Sequence, residues 1–257
     1  MKLEHNPAAL TSPGTALSER SRWENTLTRA VDTHMIRFLD DVLDVVYEKR
    51  EVNPMLVDDL YQDAVTSLLD TLDADDSTVH TIELALRQSP LPDEVYDTAN
   101  YLLTESKPLN LTDDEFHTLL VEGLDYDVPS ITDEPSLQAS AVPRMVGQVL
   151  ARSVGRGKRW RVFGRETART AATSALNEAQ NRYMQRNDFT HKQWITRRDD
   201  RVRATHADAD GQTVPKASLF RVGAATLSYP GQGTFPPEEI YNCRCVMIAV
   251  NADGSTR

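Results

Sequence analysis

Apolar residues in the first half of the chain recur every three or four positions, which is the period of one face of an α-helix. The first series follows Ser21 and Glu24, whose spacing is that of a capping box at a helix N-terminus. Its members are Leu27, Val31, Met35, Phe38, Val42 and Val45. Because Asp and Glu fill most of the opposite face, we predict an amphipathic helix that begins near residue 21.

Further helices are predicted along the acidic part of the chain. Pro54 ends the first helix and starts a second one, because proline is tolerated in a first helical turn. Apolar residues of this second helix recur at every fourth position: Leu56, Leu60, Ala64, Leu68 and Leu72. A third helix ends before Pro90, and others are predicted over residues 92–103 and after a second capping box at residues 112–115. An antiparallel helical bundle is the simplest architecture for such a series.

The pattern changes after residue 125. The stretch 126–143 contains three prolines and no sustained periodicity, so it is predicted to be a linker. A long helix is predicted over about residues 163–186. Its stripe of small residues would let a neighbouring element approach closely: Ala168, Ala171, Ala172, Ala175 and Ala179. After Phe189, short apolar runs split by glycine and proline predict a small sheet.

Together these patterns predict an α+β protein, with an acidic helical bundle followed by a small domain that has a long helix and a short antiparallel sheet. The predicted segments are an arm at 1–20, an acidic helical domain at 21–125, the linker at 126–143, a basic α+β domain at 144–250 and a tail at 251–257. The arm contains Pro7, Pro13 and Gly14, and we expect it to be ordered only on assembly.

Charge divides the chain at nearly the same place. Residues 1–140 hold 9 Lys and Arg against 29 Asp and Glu, a net charge of −20, whereas residues 141–257 hold 19 against 10, a net charge of +9. The acidic part should repel nucleic acid, and the basic part could face DNA or an acidic protein surface. The candidate DNA contacts are Arg152, Arg156, Lys158, Arg159, Arg161 and Arg165. Solubility, with a solvated helix face, is the alternative explanation.

Composition excludes several classes of protein. No apolar run approaches the roughly 20 residues that a membrane-spanning helix needs. The first residues lack the charged and then apolar pattern of a signal peptide. The two cysteines, Cys243 and Cys245, are too few and too close together for a disulfide framework. We therefore expect a protein of the reducing cytoplasm with no membrane partner.

Two motifs carry the candidate chemistry. The first, WITRRDDRVRATHADADGQTV, covers residues 194–214, and the second, YNCRC, covers residues 241–245. Arg203 and His206 are three residues apart and could share a partner. Gly211 follows an aspartate in a strong turn signal. The two cysteines alternate with one arginine, so on a strand they would point to the same face.

This ordered set resembles the phage Mu F-like minor head protein family over roughly residues 165–247. That family has a helix with a Glu-Thr or similar pair, a tryptophan strand, an Asp, Arg, His and Asp-Gly series, and a terminal Asn-Cys-Arg-Cys. The matching residues here are Glu166, Thr167, Trp194, Asp199, Arg203, His206, Asp210, Gly211, Asn242, Cys243, Arg244 and Cys245. The acidic N-terminal half carries no part of this resemblance.

The resemblance implies a minor head protein of a tailed virus, located at the portal vertex or in the head interior. Such a protein would act in head morphogenesis and in genome packaging or ejection. Its implied partners are the portal protein, the major capsid protein or both, with viral double-stranded DNA as a further partner. It would belong to the virion, and to the host cytoplasm during assembly. The alternative is a DNA-binding internal protein delivered with the genome.

A metal site is the weaker interpretation of the second motif. His206, Cys243 and Cys245 offer three ligands for zinc, and Asp199, Asp210 or His191 could complete a tetrahedron. Some relatives resemble zinc proteins more strongly, because they have an upstream Cys-x-x-Cys and a histidine just before the Asn-Cys-Arg-Cys. This chain has neither feature, so the sequence favours two half-buried thiols that pack as small apolar groups, with His206 bonded to a loop carbonyl or carboxylate.

Catalysis is the least favoured class. His206 with Asp199, Asp208 and Asp210 could be drawn as the metal cluster of a nuclease. No cofactor and no enzymatic activity are expected. A partly buried ion pair between Arg203 and Glu166, joining the long helix to the loop after the tryptophan strand, is the preferred role for those two charges.

Overall fold

The computed structural model describes residues 1–6, 11–49, 54–89, 158–233 and 236–255, together with Leu91 and Val95. The helices are α1 (Pro13–Lys49), α2 (Pro54–Leu69), α3 (Asp76–Arg87), α4 (Lys158–Arg186), α5 (Ala204–Ala209) and α6 (Pro237–Ile240). The strands are β1 (His191–Ile195), β2 (Thr213–Pro215), β3 (Phe220–Val222), β4 (Ala225–Leu227) and β5 (Val246–Val250). The predicted α+β class is confirmed. The predicted linker and the helices expected at 92–103 and after residue 112 lie outside the described residues.

The chain divides into two units. The first comprises residues 1–31, 68–90 and 164–257, and the second comprises residues 32–67 and 91–163. The first unit therefore includes helical segments from the acidic part of the chain as well as the small sheet. These boundaries differ from the predicted domains, because charge and proline content report the surface of the chain rather than which segments pack together.

The first 20 residues differ most from expectation. Leu3 is buried, and its backbone N–H donates to the Asp73 carbonyl at 3.1 Å. Helix α1 begins at Pro13, preceded by Ser12, whose Oγ accepts from the Thr15 amide. The start predicted at Ser21 is wrong, because Ser21 lies inside the helix and its hydroxyl donates to the carbonyl four residues earlier.

The second unit contains the rest of α1 together with most of α2. Phe38 and Tyr61 pack edge to face, with ring centroids 5.8 Å apart. The apolar series predicted for α1 is buried as far as Val42, and Val45 is half-buried. On α2, the buried side chains of this unit are Val57, Tyr61, Ala64 and Val65. The helical period of the sequence thus identified the buried face of α1, whereas Leu56 and Leu60 of the series predicted for α2 are only half-buried. Among the described residues, no helix is both long and apolar enough to cross a membrane.

The small sheet has the strand order β2-β1-β5, and both pairs are antiparallel. Strands β3 and β4 form a separate antiparallel hairpin. All five residues of β5 are buried, as expected for a strand covered on both faces. Trp194 of β1 lies in a core with Phe220, their rings meeting edge to face at 5.4 Å. The short antiparallel sheet predicted from the sequence is confirmed.

Helix α4 lies close to the chain that leads into β5. All five alanines of its predicted stripe are buried. Between them, the Asn177 amide donates to the Cys245 carbonyl at 3.1 Å and accepts from the Met247 amide at 2.9 Å. Gly231 also touches this helix: a Cβ there would lie 3.1 Å from backbone atoms of Ser174, and its φ is +80°. Small residues on both sides thus permit the close approach.

Helix α3 is attached to α4 through its N-terminal cap. Asp75 accepts from the Thr78 amide at 3.1 Å, and Arg182 of α4 contacts the same carboxylate at 2.8 Å. Although partial burial opposes it, hydrogen bonding by Arg182 and Thr78 lowers the pKa of Asp75 to about 2. The carboxylate is therefore both the cap of one helix and the link to the next.

Asp75→Ala should lower the free energy of unfolding by about 1–2 kcal/mol near neutral pH, which is the usual cost of losing a helix cap. The ion pair with Arg182 adds little to this cost, because it is partly exposed to solvent. Since the folded pKa is about 2 against an ordinary 3.8, the contribution exists above pH 3.8 and is lost as pH falls through 2. Urea denaturation at several pH values measures it. The control is Asp76→Ala, one residue further on, where no cap is lost and an effect below about 0.5 kcal/mol is expected.

Lys192 is an unusual buried charge on β1. It is 1% exposed, its Nζ donates to the Ser228 carbonyl at 2.7 Å, and the same atom lies 5.1 Å from the centre of the Phe220 ring. Burial lowers its pKa to about 8. The fold thus opposes the charged form, although that form still predominates at pH 7 because the pKa lies above it.

Lys192→Met should raise the free energy of unfolding at pH 7 by on the order of 1–2 kcal/mol, because an incompletely compensated charge is removed. Between pH 8 and 10.5 the unfolded wild-type chain holds a proton that the folded chain has lost, so wild-type stability rises with pH there. The advantage of the variant should accordingly shrink over that window. Parallel stability curves for the two proteins would contradict the prediction.

Candidate functional site

The residues that carry the second sequence motif, Tyr241–Cys245, lie between α6 and β5, and we call them the cysteine segment. Asn242 has a positive φ of 58°, a conformation that asparagine tolerates better than most residues. Its backbone N–H donates to Thr170 of α4 at 2.8 Å, and its side-chain amide donates to Glu166 at 3.0 Å. The turn at Asn242 is therefore held by one face of α4.

Arg203 holds the same turn from the other side, since its guanidinium donates to the Tyr241 carbonyl. The ion pair predicted between Arg203 and Glu166 is not formed. Each of the two side chains instead bonds a neighbouring residue of the cysteine segment, because the polar groups of this bent backbone need partners.

Arg244 and Asp199 form a two-pronged ion pair. Both oxygens of Asp199 accept from the guanidinium, each at 2.6 Å, and Arg244 is largely buried. Hydrogen bonding by Arg244 lowers the pKa of Asp199 to about 2. This planar geometry is the strongest form of the arginine–carboxylate contact. It fixes the cysteine segment to the loop that follows β1.

Asp210 and Gly211 shape the end of that loop. Asp210 accepts from the Thr196 amide at 2.8 Å and from Arg198 at 2.7 Å. Gly211 has a φ of +79°, which supplies the positive dihedral that the predicted turn requires. The aspartate and glycine of the motif are thus elements of one turn.

A buried charge network that the sequence did not reveal joins α1 to the cysteine segment. Glu24 pairs with Arg20 and, at 2.8 Å, with Arg169 of α4. Arg20 is fully buried and also donates to Thr173 at 3.2 Å, while Arg169 donates to the Asn242 side chain. The four-residue spacing of Arg20 and Glu24 was visible, but the capping-box interpretation had assigned Glu24 to another role.

His206, Cys243 and Cys245 form a buried group that we call the thiol–imidazole cluster. They are 2%, 1% and 3% exposed. The Nδ1 atom of His206 lies 3.3 Å from the Cys245 sulfur and 3.6 Å from the Cys243 sulfur. Trp194 meets the imidazole edge to face at 5.6 Å. Both cysteines are free thiols whose sulfurs approach the same imidazole. The sequence predicted them on a strand, but they precede β5, which begins at Val246.

Glu239 of α6 lies on the opposite side of the imidazole. Its Oε2 lies 3.0 Å from His206 Nε2, but the angle is not that of a hydrogen bond, so this is an ion contact. The same oxygen accepts a hydrogen bond from the Thr205 hydroxyl at 2.8 Å. Glu239 is 6% exposed. The sequence analysis missed this residue, although it stands three positions before Asn242.

The protonation of the cluster follows from these contacts. The neighbouring Cys245 thiol, and then His206, lower the pKa of Cys243 by hydrogen bonding. The same contact and burial raise the pKa of Cys245. Burial opposes protonation of His206, but the hydrogen bond to Cys243 outweighs it and raises its pKa. Negative charge is therefore stabilised on Cys243.

Residues 148–248 match the model of a family described as Phage Mu protein F like protein. These residues form a Mu F-like region. The predicted resemblance to this family is thereby confirmed for these residues, and it suggests a protein of phage head morphogenesis. No curated protein and no solved structure matches the chain.

Within the Mu F-like region, the structure brings the motif residues together around the cysteine segment. Trp194 lies in the same hydrophobic core as both cysteines, and Thr167 is buried on α4. Asp199, Asp210 and His191 do not join the thiol–imidazole cluster, which is the set of potential metal ligands that converges in the part of the chain described. The nuclease-like arrangement drawn from the sequence is thus not assembled, and Asp208 is exposed.

The predicted DNA-contacting residues are only partly described. Arg165 is exposed on α4. Lys158, Arg159 and Arg161 lie on the same helix, with side chains outside the described set. Arg152 and Arg156 lie wholly outside the described residues. The basic surface therefore remains a prediction from sequence.

Proposed function

We propose that this chain is a minor head protein of a tailed phage, located at the portal vertex or in the head interior, and made in the host cytoplasm. It acts in head morphogenesis and in genome packaging or ejection. The observation that carries the proposal is the Mu F-like match over residues 148–248. Supporting it, the motif side chains bond one another and thereby fix the shape of the domain.

The proposal assigns no catalytic step to the chain. In support, Asp199 is engaged on both oxygens by Arg244, and Asp210 is engaged by a backbone amide and an arginine. The two thiols are almost completely buried. A nucleophile, a base and a substrate pocket have to meet for catalysis, whereas these polar groups serve the internal geometry.

The proposed partners are the portal protein and the major capsid protein of the same phage. The full chain, co-expressed with each in turn, should be retained by a tagged portal or capsid protein and not by the portal of an unrelated phage. Mass spectrometry of nuclease-treated heads should also detect the chain in a fixed copy number. Failure to find it in heads or bound to either partner would overturn the proposal.

A second candidate function, delivery with the genome as a DNA-binding internal protein, is favoured by the net charge of +9 after residue 140 and by exposed Arg165. The full chain should bind duplex DNA at low salt, with affinity falling steeply as salt rises. Arg165→Glu should weaken binding more than Arg186→Glu, which reverses an exposed charge at the far end of the same helix. Equal effects, or no binding at low salt, would contradict it.

A further inference from the structure

We propose that the thiol–imidazole cluster is a binding site for one zinc ion, with Cys243, Cys245 and His206 Nδ1 as its three protein ligands. All three ligand atoms lie within 4.8 Å of one another. Zinc bonds of about 2.0 Å to nitrogen and 2.3 Å to sulfur, set at tetrahedral angles, place such atoms about 3.5 Å apart. The two nitrogen–sulfur distances, 3.3 and 3.6 Å, bracket that value.

The orientation of the imidazole also favours a metal. A neutral imidazole nitrogen either donates one hydrogen or accepts one, so a single Nδ1 cannot satisfy two sulfurs equally by hydrogen bonding. A metal ion between the three atoms bonds the nitrogen lone pair and both sulfurs at once. The near-equal approach of Nδ1 to Cys243 and Cys245 is thus the arrangement that a shared ion would produce.

Glu239 places a carboxylate beside the other ring nitrogen of His206, where metal-binding histidines usually have a supporting group. Its carboxylate lies 3.0 Å from the other ring nitrogen, and Thr205 holds the carboxylate in turn. A carboxylate beside this nitrogen favours the form of the ring with its hydrogen there and leaves the second nitrogen to bind an ion, although the contact itself lacks the angle of a hydrogen bond. Because Glu239 is itself buried, the contact is part of the interior and not of a solvated surface.

Charge balance points to the same class of ion. Two thiolates bring two negative charges, a neutral imidazole brings none, and a divalent ion cancels them, so the three ligands and the ion together carry no net charge. Thiolate and imidazole ligands suit zinc, whereas magnesium and calcium prefer oxygen. The ion would tie α5 to the cysteine segment, and water would fill the fourth position.

The test is the metal content of the full chain purified without chelator from zinc-supplemented cells. About one zinc per chain is expected, and at least a tenfold lower content in Cys243→Ser and Cys245→Ser. Glu239→Gln keeps all three ligands and should bind zinc about 10–100-fold more weakly, at unchanged stoichiometry. Leu219→Ala, an exposed site outside the cluster, is the control and should retain the wild-type content.

A second measurement does not depend on the variants folding. Wild-type protein stripped of metal and titrated with cobalt(II) should develop thiolate-to-cobalt absorption that saturates at one ion per chain and is reversed by zinc. Absence of both zinc and this absorption from the folded wild-type chain would overturn the proposal. So would undiminished zinc in folded cysteine variants, because the ion would then lie elsewhere.

Discussion

Replacing Glu24 by alanine should lower the free energy of unfolding by about 3–5 kcal/mol, the usual cost of removing one partner from a buried ion pair. The cost comes from the arginine charges that stay in the interior after the carboxylate is removed. Arg20 is fully buried and would lose its counter-charge, and Arg169 would keep only its amide contact to Asn242. An uncompensated charge in the interior costs far more than the pair contributes.

Denaturant unfolding followed by circular dichroism measures this effect. The matched control is Glu83→Ala, which removes a glutamate from another helical ion pair whose side chains are 34% and 31% exposed. That change should cost below about 1 kcal/mol, because exposed pairs contribute little. A double variant, Arg20→Met with Glu24→Leu, should recover part of the loss, since it leaves fewer buried charges. Equal losses at Glu24 and Glu83 would show that the network is not buried in solution.

The Glu24 network also explains why the N-terminal part of the fold was misjudged from the sequence. Ser21 and Glu24 have the spacing of a capping box, but the same spacing occurs inside a helix when serine bonds the preceding turn. The partner that decides between the two, Arg169, lies 145 residues away. Local patterns contain no information about such a contact, so the start of α1 and the attachment of this segment to the first unit could not be inferred.

Elements governed by local periodicity were predicted well. The alanine stripe and the buried apolar face of α1 follow from the 3.6-residue period of a helix. The three residues of the thiol–imidazole cluster were also identified, because the family motif groups them. Glu239 was not, since its place beside His206 depends on the path of the chain between the two motifs. Nor could the sequence show that His206, Cys243 and Cys245 meet in a chain that lacks the upstream Cys-x-x-Cys.

The motif of the Mu F-like region acquires a physical explanation from these contacts. The cysteine segment combines a positive φ at Asn242 with a largely buried Arg244, and neither is stable without partners. Glu166 supplies a partner from α4, Arg203 from the position just before α5, and Asp199 from the loop after β1. Residues far apart in sequence are thus required together because they support one short piece of backbone.

Trp194→Ala should lower the free energy of unfolding by about 3–5 kcal/mol, the range for removing a large aromatic side chain from a core. Trp194 is fully buried, and its ring is bounded edge to face by Phe220 at 5.4 Å and by His206 at 5.6 Å. Its loss opens a cavity between the hairpin of β3 and β4 and the thiol–imidazole cluster. Thermal and denaturant unfolding measure the change.

Two further variants test whether the loss of stability comes from the cavity left by the Trp194 side chain. Trp194→Phe retains part of the ring and should cost less than the alanine variant, because a smaller cavity remains. Leu219→Ala removes an apolar side chain that is 51% exposed beside the same core and should change stability by at most about 0.5 kcal/mol. A loss below about 1 kcal/mol for Trp194→Ala would contradict the prediction, because it is too small for a large aromatic side chain removed from a packed core.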